Sequence, residues 1–333
     1  MSTLLFGLLG VLASTNPPAA ASNLVEQTTG IRVRAAQPAE DPRGVELKKL
    51  EADDDAALEE IDQWIVENRK FKEEGAGVPD AELNARIHKR LDAVRQAYER
   101  FIEKHPEYAD ARLAYASFLG DIGEEEASVI HLEKARDIDP LNPAVWNNLA
   151  NYHGHRGSVT NAFAYYEKAI ELNSTEPIYY HNFGTTVFLF RKDAREFYNI
   201  DEQQVFDKAM SLYSNSMRLD PTNFLMAADI AQSYYIILPL RTNDALQAWT
   251  NALKIASDEV EKEGVHVHLA RVKMKAGMLS EARQHLEGVR HERHQATKER
   301  LLRNLKERSE GASASREPEA DQNLPAPSKK PSG

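Results

Sequence analysis

A period of 34 residues recurs through the middle of the chain, and it constrains the fold more than any other feature of the sequence. Several matching positions stand 34 residues apart: Pro106 and Pro140, Ala116 and Ala150, Gly123 and Gly157, Leu132 and Tyr166, and Ala135 and Ala169. A fixed period of this length indicates a stack of structural repeats, each of which packs against its neighbours. The sequence therefore predicts a repeat array over this region.

Each period contains two apolar blocks at helical spacing, with a glycine between them. In residues 143–176 the first block includes Val145, Trp146 and Leu149, and the second includes Phe163 and Ile170. This spacing predicts a helical hairpin repeated in register, in which we expect the Trp146 indole to be buried between hairpins. Prolines that follow the second blocks end those helices, because proline lacks the backbone donor and restricts the residue before it.

These positions resemble the tetratricopeptide repeat family. In residues 109–142 and 143–176 the small and large residues of the family pattern recur, while Arg112, His153 and Ser174 depart from it. Small side chains are expected where paired helices approach closely, since anything larger than alanine would overpack the contact. The resemblance implies an all-α fold, a right-handed α-solenoid of about five to six helical hairpins. The matching residues are Ala116, Leu132, Ala135, Pro140, Trp146, Leu149, Ala150, Ala162, Tyr166 and Ala169.

The pattern divides the chain into segments. The solenoid is predicted over residues 57–310, with degenerate helices at its start, two near-consensus repeats, one interrupted repeat and two divergent repeats. These are residues 57–106, 109–142, 143–176, 177–223, 224–257 and 263–296.

An insert interrupts the third repeat. Gly184 and Ala231 are separated by 47 positions, thirteen more than the period, which places extra residues at 191–206. Asp201 and Gln204 have the spacing of a capping box that restarts a helix. Phe197 and Tyr198 are then expected near a loop tip, either as exposed anchors for a partner or folded back onto the core.

The two ends of the chain differ from the middle. Residues 4–13 form an apolar run that is followed by small residues, which predicts a signal peptide over residues 1–21 and export to the periplasm or the extracellular space. The run is too short to span a bilayer, and no Lys or Arg precedes it, so an intracellular chain stays an alternative. Residues 22–56, an acidic linker, and residues 311–333, a tail, are predicted to be disordered.

Composition and motif searches argue against several functions. The chain has no cysteine and a net charge of −11, without a basic aromatic stripe, so nucleic-acid binding is not expected. Phosphate loops, nucleophile elbows and dinucleotide fingerprints do not occur. His291 and His294 stand three apart rather than the four of a zinc-protease helix. We therefore predict no catalytic residues, no metal, no cofactor and no small-molecule ligand.

The resemblance implies that the first helices of the repeats line a groove that takes up a peptide or helix of a partner protein. Asparagine amides there can pair with both groups of a peptide unit, although asparagine is also ordinary at these positions. A clamp on a C-terminal carboxylate is disfavoured, because Ala144 and asparagine and histidine side chains replace its basic residues. The predicted groove residues are Asn147, Asn148, Asn151, His155, His181, Asn182, Thr185, Asp229, Gln232 and Tyr235.

The sequence thus predicts an exported scaffold or adaptor that binds a protein partner. Two alternatives stay open: an intracellular scaffold of the same kind, and a subunit that presents substrate to a cell-envelope polysaccharide enzyme, in which a polar groove would bind a glycan.

Overall fold

The computed structural model describes residues 41–314, which form helices and contain no strand. The helices fall into two compact units: unit 1 ends at Leu172 and unit 2 begins at Asn173. The all-α solenoid of hairpins predicted from the sequence is confirmed, with fourteen α-helices in the described range. Within that range, none of the helices combines the length and the apolar character needed to cross a bilayer. The predicted signal peptide lies outside the described residues.

The described residues of unit 1, 41–172, form three helical hairpins. Its helices are α1 (Pro42–Glu73), α2 (Asp80–Lys104), α3 (Ala109–Asp121), α4 (Glu125–Ile138), α5 (Pro143–His155) and α6 (Val159–Leu172).

Unit 2 contains the interrupted and divergent repeats and a final long helix. Its helices are α7 (Pro177–Leu189), α8 (Arg191–Tyr198), α9 (Glu202–Leu219), α10 (Phe224–Ser233) with a 3₁₀ turn (Tyr234–Ile236), α11 (Thr242–Ile255), α12 (Glu259–Lys275), α13 (Leu279–Glu287) and α14 (Glu292–Ala314).

Alanines occupy the contacts between paired helices, as the repeat pattern predicts. Ala150, Ala162 and Ala169 are fully buried between α5 and α6. In the next repeat, which belongs to unit 2, Gly184 is the equivalent of Ala150. A Cβ added to Gly184 would lie 2.9 Å from the Tyr213 ring. The close approach of the helix pair therefore excludes even an alanine at this point.

Trp146 differs from the expectation, because its indole is only half-buried. The ring lies edge-on to Tyr165, with centroids 5.2 Å apart, at the margin of the α5–α6 hairpin. The fully buried tryptophan of the described residues is Trp249 in α11, which is 1% exposed.

Helix α1 corrects the predicted disorder of residues 22–56, because residues 42–56 are helical. Asp41 caps the helix by accepting from the Arg43 N–H, and proline occupies the first helical position. Leu47 and Ala57 are buried in a core with aromatic residues of α2 and α3. Between these two residues, Asp54 is also buried in the core. Because a charged residue stands at a buried position, the apolar spacing typical of a helix is interrupted there, and the sequence pattern did not indicate the helix. The predicted tail also begins too early, since α14 extends to residue 314.

The Asp54 carboxylate lies in the seam between α1, α2 and α3. It is 8% exposed and accepts a hydrogen bond of 2.8 Å from the Tyr98 hydroxyl. Burial raises the pKa of Asp54 to about 7, an effect to which Asp55, Asp121 and Glu51 add by repulsion. Burial likewise raises the pKa of Asp121 to about 6. The seam therefore holds one carboxyl group, that of Asp54, which takes up a proton near neutral pH.

The insert forms a helix, so the predicted loop tip is wrong. Helix α8 follows α7 at once and ends at Asn199, whose φ of 52° turns the chain toward α9. The predicted capping box is confirmed: the Asp201 side chain accepts from the Gln204 N–H, and the Gln204 side chain accepts from the Asp201 N–H.

Candidate functional site

A polar surface joins the first helices of three successive repeats in unit 2, which are α7, α10 and α12. His181 of α7 lies 4.0 Å from Asp229 of α10. Tyr235, in the 3₁₀ turn that extends α10, lies 2.8 Å from His268 of α12 through its hydroxyl. We call this surface the unit-2 face; it comprises His181, Asn182, Thr185, Asp229, Gln232, Tyr235, His268, Arg271 and Lys275.

Three residues of α10 and its 3₁₀ turn form the centre of the unit-2 face. Asp229, Gln232 and Tyr235 are spaced three apart, so they lie along one side of this segment. Asp229 and Gln232 are exposed, and Tyr235 is half-buried. The sequence predicted all three as groove residues, and the structure brings them together with α7 on one side and α12 on the other.

The α7 side of the face is more enclosed. Burial lowers the pKa of His181, so its imidazole is neutral at pH 7. Its Nε2 atom is buried without a hydrogen-bond partner within the described part of the chain. The Thr185 hydroxyl lies 3.0 Å from the Tyr213 hydroxyl, and Asn182 is half-buried. On this side of the face a ligand would therefore meet a neutral imidazole beside the exposed Asp229 carboxylate.

The α12 side of the face is an aromatic cluster flanked by two cations. The Trp249 and His268 rings are nearly parallel, with centroids 4.2 Å apart, and Tyr235 lies beside them. Burial lowers the pKa of His268 to about 4, so this ring is also neutral. The Arg271 guanidinium lies 5.6 Å from the Tyr235 ring centroid and the Lys275 ammonium 5.3 Å from it.

The sequence interpretation missed Arg271 and Lys275. They occupy the ninth and thirteenth positions of the repeat 263–296, which correspond to Asn151 and His155 in the repeat 143–176. Both of those were predicted to line the groove. Carrying the same positions into the divergent last repeat would have found the two cations.

In unit 1 the predicted groove residues form a weaker candidate. Asn147 is 6% exposed, so its assignment to an accessible groove is wrong. Asn148 donates to the Ala144 carbonyl of its own helix (3.0 Å), and Asn151 accepts from the Tyr166 hydroxyl (2.6 Å). His155 is exposed at the end of α5. These amides mainly stabilise their own hairpin, so they do not form a row of free peptide-binding groups.

The two predicted insert anchors lie on α8 and differ in exposure. Phe197 is 43% exposed, whereas Tyr198 is half-buried, with its ring centroid 3.9 Å from the Lys208 ammonium. Of the pair, Phe197 is therefore the side chain that a partner could reach. Among residues 41–314, no three His, Asp or Glu side chains lie close enough together to hold a metal ion.

Comparison with known proteins agrees with this geometry. Residues 143–176, the α5–α6 hairpin with its buried alanines, match the family model of the tetratricopeptide repeat. The α5–α6 hairpin is thus a tetratricopeptide repeat. Such repeats are in general protein-interaction scaffolds without catalytic activity. A partner protein or peptide is therefore the class of ligand that the fold supports.

One relative and several solved structures are similar to this chain. An uncharacterized protein of Haemophilus influenzae is 33% identical over 81 residues, which are 24% of this chain and 45% of the relative. The match thus spans about half the length of that relative.

Solved structures with a similar fold include PilF of Pseudomonas aeruginosa, at 16% identity and a TM-score of 0.46 over 69% of this chain and 90% of that one. They also include PilW, described as a widely conserved type IV pilus biogenesis factor, at 14% identity and a TM-score of 0.48 over 60% and 84%. YrrB, described as a repeat protein with an unusual peptide-binding site, is 12% identical, with a TM-score of 0.45 over 65% and 98%. Similarities this low transfer no partner to this chain.

Proposed function

We propose that this protein is an exported adaptor that binds an extended segment of a partner protein along the unit-2 face. The observation that carries the proposal is the contact of three successive first helices through polar side chains: His181 with Asp229, and Tyr235 with His268. These contacts place hydrogen-bonding groups of α7, α10 and α12 side by side, so one extended ligand can cross all three helices.

Exposed apolar side chains adjoin this polar surface. Leu189 ends α7 and is 57% exposed, and Ile236 ends the 3₁₀ turn and is 49% exposed. Ile236 directly follows Tyr235, and the neighbouring Leu238 is 74% exposed. Apolar anchors that flank polar groups are typical of surfaces that bind proteins, because the anchors supply affinity and the polar groups fix the ligand's register.

The proposal is tested by selecting peptides from a random display library with the full-length protein. We expect selected peptides to bind the wild type and to lose about tenfold or more in affinity with Gln232→Arg, which adds a long charged side chain at the centre of the unit-2 face. The matched control is Gln247→Arg, an exposed glutamine on α11, the second helix of the same hairpin. If no peptide is selected, or if both variants bind as well as the wild type, the proposal fails.

Export is the second part of the proposal, and it rests on the apolar run at residues 4–13 and the small residues that follow it. Mass spectrometry of the mature protein from its native host tests it. We expect a new N-terminus near residue 21. Recovery of the intact first residues from the cytoplasmic fraction would contradict export and favour the intracellular scaffold.

A further inference from the structure

We propose that Arg271 and Lys275 form a recognition site for a carboxylate side chain of the partner segment. The inference rests on the proposed function and deepens it, because it names the chemistry of the partner: an extended peptide with an acidic residue beside an aliphatic one.

The first step is the position of the two cations. Arg271 and Lys275 stand four residues apart on α12, so they are neighbours on one side of the helix. Both approach the ring of Tyr235, which belongs to the preceding repeat. The Lys275 ammonium also donates to the Tyr235 carbonyl oxygen at 3.1 Å. The two charges therefore lie at the junction between consecutive first helices, where a ligand crossing the face would pass.

The second step is that these charges have no anionic partner within residues 41–314. Several other cations of unit 2 do have a carboxylate partner: Arg191 pairs with Glu202, Arg241 with Asp207, and Lys273 with Glu281. Arg271 and Lys275 make no such pair with any described carboxylate. Two adjacent cations thus remain available to an anionic ligand on a polar surface of a chain whose net charge is −11.

The third step is that the surroundings hold the cations in place without neutralising them. Tyr235 is fixed by its hydroxyl contact with His268, which in turn stacks on the buried Trp249. His268 is neutral, so no additional charge competes for an anion. The aromatic cluster thus positions a guanidinium and an ammonium in advance, which reduces the entropy lost on binding.

The fourth step identifies the ligand. A guanidinium binds a carboxylate through two parallel hydrogen bonds, and a neighbouring ammonium adds a third charged donor. Lys275 contacts the Tyr235 carbonyl, which belongs to the peptide unit leading to the exposed Ile236. A ligand carboxylate bound between the two cations would therefore lie close to the exposed Ile236 side chain, which an adjacent residue of the ligand could contact. An acidic residue next to a leucine or isoleucine matches both features.

The test uses the full-length protein and the peptide selection described above. We expect the wild type to enrich Asp and Glu next to aliphatic residues and the double variant Arg271→Gln/Lys275→Gln to lose that enrichment. A selected peptide is then synthesised with blocked ends, with Glu and with Gln at the acidic position. Fluorescence anisotropy should show about tenfold weaker binding of the Glu peptide to the double variant, and of the Gln peptide to the wild type.

Lys273→Gln is the matched control, because Lys273 lies on the same helix but is paired with Glu281. It should leave the affinity of the Glu peptide unchanged, and circular-dichroism melting should show that all variants fold. Peptides selected without acidic enrichment, or Glu and Gln peptides that bind equally, would overturn this inference and leave the proposed function standing. Binding of inorganic phosphate in preference to the Glu peptide would also overturn it. If no peptide is selected, both proposals fail.

Discussion

The indole Nε1 of Trp146 donates a hydrogen bond of 2.8 Å to the carbonyl oxygen of Pro140. The same bond recurs at the fourth residue of the neighbouring repeats: the Arg112 guanidinium donates to the Pro106 carbonyl, and the Tyr180 hydroxyl donates to the Ser174 carbonyl. Each donor reaches back six residues and joins the start of a first helix to the turn before it. Three chemically different side chains thus perform one structural task, which explains how Arg112 replaces the aromatic residue of the family pattern.

Removing this bond should lower stability by a small, measurable amount. Tyr180→Phe deletes the donor hydroxyl and keeps the ring, so we expect the free energy of unfolding to fall by about 0.5 to 1.5 kcal/mol. Urea unfolding followed by circular dichroism measures it. Tyr165→Phe is the control, since the Tyr165 ring packs on Trp146 and His153. An equal loss in both variants would contradict a specific role of the Tyr180 hydroxyl.

Gly184 should not tolerate alanine. A Cβ there would lie 2.9 Å from the Tyr213 ring and 3.3 Å from the Ala209 carbonyl oxygen, so α7 and α9 would have to separate. We expect Gly184→Ala to cost about 1 to 3 kcal/mol. Gly120→Ala, in α3, is the contrasting case, because its Cβ would meet only the Ser128 hydroxyl at 3.8 Å. That variant should be neutral or stabilising by up to about 1 kcal/mol. Thermal melting that ranks the two variants in the opposite order would refute the packing argument.

Acidification should stabilise unit 1 through Asp54. Because burial raises its pKa from 3.8 to about 7, the favourable contribution of the carboxyl to stability is full below about pH 3.8 and is lost progressively as pH rises to about 7. The charge of Asp54 should therefore cost more stability at pH 8 than at pH 5.5, which urea unfolding of the wild type and of an uncharged variant measures. Asp54→Asn keeps an acceptor for Tyr98 and removes the charge, so it should stabilise the protein at pH 8 by about 2 to 4 kcal/mol.

The control for this prediction is Asp62→Asn, an exposed position on the same helix. We expect Asp62→Asn to follow the wild type at both pH values, whereas Asp54→Asn should exceed the wild type in stability by a larger margin at pH 8 than at pH 5.5. A gain in stability from Asp54→Asn that is equal at pH 5.5 and pH 8 would contradict the assignment.

The two repeat tryptophans should differ in their contribution to stability. Trp249 is 1% exposed and stacks on His268, so Trp249→Ala should cost about 3 to 5 kcal/mol. Trp146 is half-buried, and its truncation should cost less than half of that. Urea unfolding of both variants measures the difference. A larger loss from Trp146→Ala would show that this indole is more deeply packed than the structure indicates.

The repeats were predictable because small residues recur every 34 positions. Where two paired helices approach closely, only a small side chain such as alanine fits, so these positions vary little from repeat to repeat. Helix α1 was missed since Asp54 occupies a core position, and only its partner Tyr98, distant in sequence, makes that tolerable. Of the predicted groove residues, Asp229, Gln232 and Tyr235 lie together on one surface of unit 2. Asn147 was misjudged because position in a repeat does not determine burial. Arg271 and Lys275 were missed because the last repeat diverges, and their lack of partners is visible only in three dimensions.

Helix α1 also determines what can happen at that end of the stack. Its apolar side, with Leu47 and Ala57, packs onto α2 and α3, while charged residues such as Glu46, Lys49 and Glu59 face water. Without α1, the apolar surface of α2 and α3 would be exposed. The end of a second copy of the protein would then be able to stack on that surface, and repeated stacking would produce filaments. A charged helix in that place discourages such growth.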